Sequence, residues 1–92
     1  MDIGFGSGYL TTCLSLLAGP GSITYAVEHI PELVSFAKRN IQKDHPELLE
    51  NNRIILMCSD GRLGLPEHGP FDVIHVGAHV VRVPQSLLDQ LK

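Results

Sequence analysis

Short apolar runs alternate with stretches of helical periodicity along the chain. The first helical stretch has apolar side chains at the i, i+3, i+4 and i+7 spacing of one helix face, namely Leu10, Cys13, Leu14 and Leu17. The second has the stripe Leu33, Phe36, Ala37 and Ile41, which we expect to be buried. Segment 19–21 is expected to stop the first helix and segment 44–46 the second. A final helix is predicted over residues 86–91, after Pro84.

The apolar runs between these helices predict four β-strands, at residues 1–3, 23–27, 53–58 and 71–76. The run 54–57 is continuously apolar, which is typical of a strand covered on both faces. Strands that alternate with helices predict an α/β fold with a parallel sheet and right-handed crossovers. Ligands of such sheets bind beyond the carboxyl ends of the strands, so the residues after each strand are the candidates for a site.

Glycines follow the first predicted strand at alternate positions, Gly4, Gly6 and Gly8. They let the backbone turn sharply and let a ligand approach without interference from a Cβ atom. Their spacing differs from the Gly-x-Gly-x-x-Gly of dinucleotide-binding proteins. It fits the wider turn that receives the methionine and ribose part of S-adenosylmethionine. A strand-to-helix turn without any ligand is the alternative interpretation.

Acidic residues end the next two predicted strands. Glu28 lies about 20 residues after Gly8, where a carboxylate can accept hydrogen bonds from both ribose hydroxyls. Asp60 in the turn 59–61 can accept from the exocyclic amine of adenine. Taken singly, Glu28 reads as a solvated acid before a helix and Asp60 as part of a common Asp-Gly turn. Because glycine, acid and acid come at three successive strand ends, the sequence favours one shared adenosine site.

The fourth predicted strand ends at Gly77 and Ala78, where the methyl donor and acceptor would meet. His75 lies within this apolar run and is interpreted as a satisfied core histidine. His79 and Arg82 follow in the next loop, where either could meet an acidic substrate. Solvated surface residues are the favoured interpretation of both.

The composition narrows the function classes. The 92 residues suit one small domain, and a net charge of −3 without a basic stripe disfavours duplex nucleic acid as a partner. Cys13 and Cys58 lack metal-type spacing, so we expect buried free thiols in a reducing compartment and no metal site. No signal peptide and no membrane-spanning segment is recognised, so a cytoplasmic location without a membrane partner is the default expectation.

Five motifs, at residues 2–11, 27–33, 59–64, 71–78 and 83–92, together resemble the protein-L-isoaspartate O-methyltransferase family in order and spacing. This family belongs to the class I S-adenosylmethionine-dependent methyltransferases. The resemblance implies an α/β Rossmann-like fold, here an incomplete parallel sheet of about four strands with flanking helices over residues 1–92. It implies S-adenosyl-L-methionine as cofactor and methyl transfer to the free carboxylate of isoaspartyl residues. Its partners would be damaged proteins or peptides that contain isoaspartate.

By position, the resemblance assigns cofactor contacts to Asp2, Gly4, Gly6, Ser7, Gly8, Glu28, His29, Asp60 and Gly61. It assigns the substrate side to Gly77, Ala78 and His79. The family's serine-bearing active-site loop precedes the glycine turn and has no counterpart in this chain, so no catalytic residue is assigned. We therefore expect a truncated form with weak or no activity, and a monomer if complete. Phe5 stands where the family usually has a small residue, and residues 79–82 also depart from the family pattern.

Two alternatives stay open. In the first, the chain is a non-catalytic methyltransferase-like module that acts in protein interaction. Phe5 and the altered loop after Ala78 favour this alternative. A fragment of a nucleotide-binding oxidoreductase is disfavoured by the glycine spacing.

Overall fold

A computed structural model describes residues 1–77 and 83–92. In these residues four parallel strands lie in the order β3-β2-β1-β4. The strands are β1 (Asp2–Ile3), β2 (Thr24–Glu28), β3 (Ile54–Cys58) and β4 (His75–Val76). The helices are α1 (Tyr9–Ala18), α2 (Pro31–Asp44), α3 (Pro46–Glu50) and α4 (Gln85–Asp89). None of these helices of the described part is long and apolar enough to cross a membrane. The predicted α/β class with a parallel sheet is confirmed.

The register of the sheet separates its two faces. Asp2 pairs with Ala26 on one side and with His75 on the other, so these three side chains share a face. On this face Ala26 packs with Phe5 and with Ala37 of α2. The opposite face holds the larger core cluster, which consists of Met1, Ile3, Val27, Leu65, Phe71 and Leu87. Both faces are therefore covered, and the carboxyl ends of the strands meet at one edge.

The fourth strand is shorter than predicted. Only His75–Val76 pairs with β1, so the prediction of a strand over 71–76 is wrong for its first part. Phe71 instead forms an isolated bridge with Leu91. Its N–H donates to Gln90 O at 2.7 Å, and it accepts from the N–H of Lys92 at 2.8 Å. The backbone of Phe71 is thus bonded to residues after α4, whereas Val73 O accepts from the amino group of Met1. Helix α4 ends at Asp89, before the predicted residue 91.

Helix α1 does not pack its apolar face against the sheet, but a face with small polar side chains. Leu17 is 85% exposed and Leu10 41% exposed, whereas Thr11 and Ser15 are fully buried. The small side chains let the helix lie close to the sheet, and the hydroxyl of Thr11 donates to the carboxylate of Asp2. The apolar spacing therefore predicted the helix but not the face that it buries.

The stripe of α2 is buried in part. Ala37 and Ile41 lie in the core as predicted, but Phe36 is 43% exposed, which contradicts its predicted burial. The short helix α3 was not predicted, because Pro46 was interpreted as the end of a helix rather than the first residue of another. Leu48 of α3 is fully buried and packs with Ile41 and Ile54.

Strand β3 lies at the edge of the described sheet, with β2 on its one paired side. Ile54 is buried, but Cys58 at the end of the strand is exposed. The run 54–57 for which cover on both faces was predicted is covered in part, because Ile54 is buried and residues 55–57 are half-buried. Both cysteines are free thiols, as predicted, with Cys13 half-buried. The prediction that both are buried is wrong, because the edge position leaves Cys58 open to solvent.

Candidate cofactor-binding site

A hollow of about 550 Å³ opens at the edge of the sheet where the four described strands end. Its walls are residues that end or follow these strands, which are Ile3, Gly4, Val27, Glu28, His29, Cys58, Ser59, Asp60, Gly61, Arg62 and Val76. Pro84 and Leu87 close one side. We call this space the strand-end hollow. Small-molecule sites typically enclose about 300–1,000 Å³, so the hollow is large enough for one nucleoside-sized ligand.

The glycine turn has the sharp backbone that its sequence predicts. Gly4, Gly6 and Gly8 have φ angles of 75°, 55° and 86°, in the left-handed region that side chains with a Cβ rarely adopt. The N–H of Gly4 donates to Val27 O at 2.8 Å and so continues the pairing of β1 with β2 beyond the last strand residue. The turn therefore starts at the wall of the strand-end hollow and leads away into α1.

Glu28 joins the end of β2 to this turn. Its carboxylate is only 6% exposed. Oε1 accepts from the N–H of Gly6 at 3.2 Å, and Oε2 accepts from the N–H of His29 at 3.0 Å. The ring Nδ1 of His29 also lies 3.2 Å from Oε2. These donors replace the water that a buried carboxylate loses, and Oε1, which accepts from one donor only, keeps a lone pair for another. Glu28 is thus placed to receive hydroxyl groups from a ligand in the hollow.

Asp60 lies at the rim of the hollow and is paired with Arg62. Oδ1 accepts from the backbone N–H of Arg62 at 2.9 Å, and Oδ2 from its Nη2 at 2.9 Å. The hydrogen bonds from the Arg62 side chain, and then that from its backbone, hold the pKa of Asp60 below its ordinary value. The same pairing raises the pKa of Arg62. At neutral pH Asp60 is therefore ionised and is an acceptor, which suits an amino group of a ligand.

The structure brings only part of the predicted cofactor set to one place. Gly4, Glu28, His29, Asp60 and Gly61 line the strand-end hollow. The other predicted contacts do not line it, and these are Asp2, Gly6, Ser7 and Gly8. The last two of these line a separate hollow between α1 and α2. A ligand of the strand-end hollow would thus meet the first residue of the glycine turn and both acids.

Asp2 lies on the other face of β1 and is 1% exposed. Its Oδ2 accepts from the hydroxyl of Thr11 at 2.6 Å, and its Oδ1 lies 3.0 Å from Nδ1 of His75. His75 is satisfied by this contact, as predicted, but its side chain is 40% exposed, so the prediction of a core position is wrong.

Sequence reasoning missed several residues at the hollow. Arg62 was not singled out, although a guanidinium two positions after an acid in a tight turn indicates an ion pair. Leu87 of α4 and Cys58 are also part of the wall, which no local pattern indicates. Gly77 follows β4, and its N–H donates to Ile3 O at 2.7 Å. The predictions for Ala78 and His79 lie outside the described residues. In residues 1–77 and 83–92, no group of three or more His, Cys, Asp or Glu could hold a metal ion.

Parallel strands with a glycine bend and two acids at their carboxyl ends define an α/β protein of the Rossmann-like class. The sequence model of the family described as protein-L-isoaspartate(D-aspartate) O-methyltransferase matches residues 1–92. The chain belongs to this family.

Individual relatives agree with this assignment. A protein-L-isoaspartate O-methyltransferase from Caenorhabditis elegans is 44% identical over 91 residues, which cover 99% of this chain and 40% of that protein. One from Triticum aestivum is 43% identical over 93 residues, which cover 100% of this chain and 40% of that protein. The chain thus spans about 40% of the length of these curated relatives.

A solved structure has the same fold. It is a protein-L-isoaspartate O-methyltransferase (beta-aspartate methyltransferase) from Plasmodium falciparum in complex with S-adenosyl-L-homocysteine. It is 35% identical, with a TM-score of 0.86, and the match covers 99% of this chain and 45% of that one. The predicted Rossmann-like methyltransferase fold is confirmed by this likeness.

Proposed function

We propose that this chain is the cofactor-binding part of a protein-L-isoaspartate O-methyltransferase and that it binds S-adenosyl-L-methionine in the strand-end hollow. The observation on which the proposal depends is that Gly4, Glu28 and Asp60 line one hollow, although they are far apart in the sequence. This arrangement offers a close backbone approach and two carboxylate acceptors at a single edge. The S-adenosyl-L-homocysteine bound by the Plasmodium falciparum relative supports the same ligand class here.

The walls suit an adenosine group. Glu28 would accept hydrogen bonds from the ribose hydroxyls, and Asp60 from the adenine amine, with Gly61 beside the ring. Apolar side chains complete the walls, namely Ile3, Val27, Val76 and Leu87. These apolar surfaces suit an aromatic base, while the acids would set its orientation. The remaining predicted contacts at Asp2, Gly6, Ser7, Gly8 and His29 stay part of the proposal.

The cofactor, when bound, would supply a methyl group on a positively charged sulfur. The acceptor is a carboxylate that is already ionised at neutral pH, so the protein needs no strong base and acts by alignment and exclusion of water. In this chain, Glu28 and Asp60 would orient the adenosine. Gly77, with Ala78 and His79, would border the acceptor, because the bond from Gly77 to Ile3 O holds the end of β4 beside the glycine turn.

For the partners we propose isoaspartyl-containing proteins or peptides. For the 92-residue chain by itself we propose cofactor binding with weak or no turnover. A cytoplasmic location, a monomeric state and the lack of nucleic-acid and membrane partners stay predictions. The alternative of a non-catalytic interaction module has less support, because the relatives described above are all named as methyltransferases.

Calorimetric titration with S-adenosyl-L-homocysteine tests the proposal. The wild-type chain should bind it and should not bind NAD. Glu28→Gln should weaken binding about 10- to 100-fold, because hydrogen bonds to a charged acceptor contribute more than those to a neutral one. Glu32→Gln, which changes an exposed acid in the first turn of α2, is the matched control and should bind like the wild type. A folded wild-type chain that shows no binding would contradict the proposal.

A further inference from the structure

The carboxylate of Asp2 is an acid whose contacts the strand-end hollow does not explain. It is 1% exposed and lies on the face of the sheet covered by α1 and α2, where it does not line the strand-end hollow. Its two oxygens contact Thr11 Oγ1 at 2.6 Å and His75 Nδ1 at 3.0 Å. A buried carboxylate is costly unless such donors replace its water, so these two contacts account for its presence there. We call Asp2, Thr11 and His75 the Asp2 cluster.

The Asp2 cluster encloses the glycine turn. Asp2 lies on β1 before the turn and Thr11 on α1 after it, so their hydrogen bond links the two elements that the turn connects. His75 joins the neighbouring strand β4 to the same carboxylate. A glycine-rich segment has many accessible conformations and loses much entropy when it is held in one. The bonds of the cluster connect the elements on both sides of this turn and so limit the conformations open to it.

The cluster also lies close to the strand-end hollow. The N–H of Gly77 donates to Ile3 O at 2.7 Å, which sets the end of β4 against the end of β1. A Cβ atom added at Gly77 would lie 2.9 Å from Gly4 O and 3.4 Å from Cε1 of His75. The space beside the Gly77 Cα therefore borders both Gly4 O and the ring of His75. The ring of His75 thus lies near Gly4, a residue that lines the hollow.

We propose that Thr11 and His75 are positioning residues, which hold the glycine turn in its cofactor-binding shape through the carboxylate of Asp2. Neither residue lines the strand-end hollow, so their effect is indirect. The inference rests on the proposed function, because it assumes that the hollow binds the cofactor. It assigns a role to the acid of the glycine motif that requires no direct contact with the ligand.

Paired variants test this role by calorimetry with S-adenosyl-L-homocysteine. Thr11→Val keeps the shape but removes the hydroxyl, and His75→Leu removes the ring N–H. Each should weaken binding about 3- to 30-fold. Thr11→Ser and His75→Asn keep a donor that can reach the carboxylate and should recover most of the affinity. Thr24→Val, a buried threonine at the start of β2, should leave affinity unchanged. Folded Thr11→Val and His75→Leu chains that bind as the wild type does would overturn the inference.

A measurement on the unliganded chain separates this inference from the proposed function. In ¹⁵N-histidine-labelled wild-type protein, Nδ1 of His75 should carry a proton. In uniformly ¹⁵N-labelled variants, the amides of Gly4, Gly6 and Gly8 should exchange with solvent faster in Thr11→Val than in Thr11→Ser. A wild-type His75 without a proton on Nδ1, or equal exchange in the two variants, would overturn the positioning role. A lack of ligand binding by the wild type would instead contradict the proposed function, while these two readouts would still decide the role of the cluster.

Discussion

Gly61 packs so closely against Ile3 that there is no room for a Cβ atom at this position. A Cβ atom here would overlap Cγ2 of Ile3, which is itself buried in the core. The branched side chain of Ile3 cannot move aside without disturbing its neighbours, so we expect Gly61→Ala to lower the free energy of unfolding by about 1–3 kcal/mol. Urea denaturation measures this change. Gly21→Ala adds the same methyl group in open space, and its effect should stay within about 0.5 kcal/mol. Equal stability of the two variants would refute the close approach.

Asp60 and Arg62 give a pH-dependent prediction. The lowered folded-state pKa of Asp60 means that the pair stabilises the folded state above the ordinary aspartate pKa of about 3.9. The contribution is lost as the pH falls through the lower folded-state value, and it is small because both groups are exposed. In Arg62→Met the pKa of Asp60 should return toward its ordinary value, as followed by ¹³C NMR titration of the carboxyl group. Arg39→Met, an exposed change on α2, should leave it lowered. An Asp60 pKa that does not rise in Arg62→Met would speak against the pair.

At the scale of the elements, α1 exposes most of its large apolar side chains, namely Leu10, Leu16 and Leu17. Leu17 is 85% exposed, so Leu17→Lys removes no core contact, and a cation near the last turn suits the helix dipole. We expect a change in unfolding free energy within about 0.5 kcal/mol, with less self-association in sedimentation experiments. Ile41→Ala, in the core between α2 and α3, should instead cost about 2–5 kcal/mol. A comparable loss in Leu17→Lys would mean that this face of α1 is buried in solution.

The elements also show what the sequence can and cannot predict. The strand ends at Gly4, Glu28 and Asp60 were predictable, because glycines and acids that follow apolar runs are local signals. The buried face of α1 was not, because apolar spacing shows where apolar residues lie and not which face has a partner. The hydrogen bond from Thr11 to Asp2 depends on the sheet as a whole. The prediction of the first part of the fourth strand was wrong because it also depends on a distant partner. Phe71 pairs with Leu91, which lies far along the chain.

At the scale of the whole molecule, the candidate site is a property of the sheet rather than of any motif. Parallel strands bring their carboxyl ends to one edge of the sheet. The strand order β3-β2-β1-β4 therefore places Asp60, Glu28 and Gly4 in that order along the edge. The sequence indicated these three residues one by one. Which further side chains complete the walls, such as Leu87 and Arg62, depended on the packing of α4 and of the loop after β3. Ligand binding should therefore depend on the folded sheet and should in turn stabilise it.

This coupling gives a prediction for the whole chain. A ligand that binds only the folded state at 100 times its dissociation constant adds about 2.7 kcal/mol to the free energy of unfolding. S-adenosyl-L-homocysteine at that excess should therefore raise the midpoint of thermal unfolding, which differential scanning calorimetry records. NAD at the same concentration should not shift it, because the glycine turn lacks the dinucleotide spacing. Glu28→Gln, whose binding is weakened, should show a smaller shift at equal ligand concentration than Glu32→Gln. If both variants shift equally, the stabilising ligand is bound elsewhere than in the hollow that Glu28 lines.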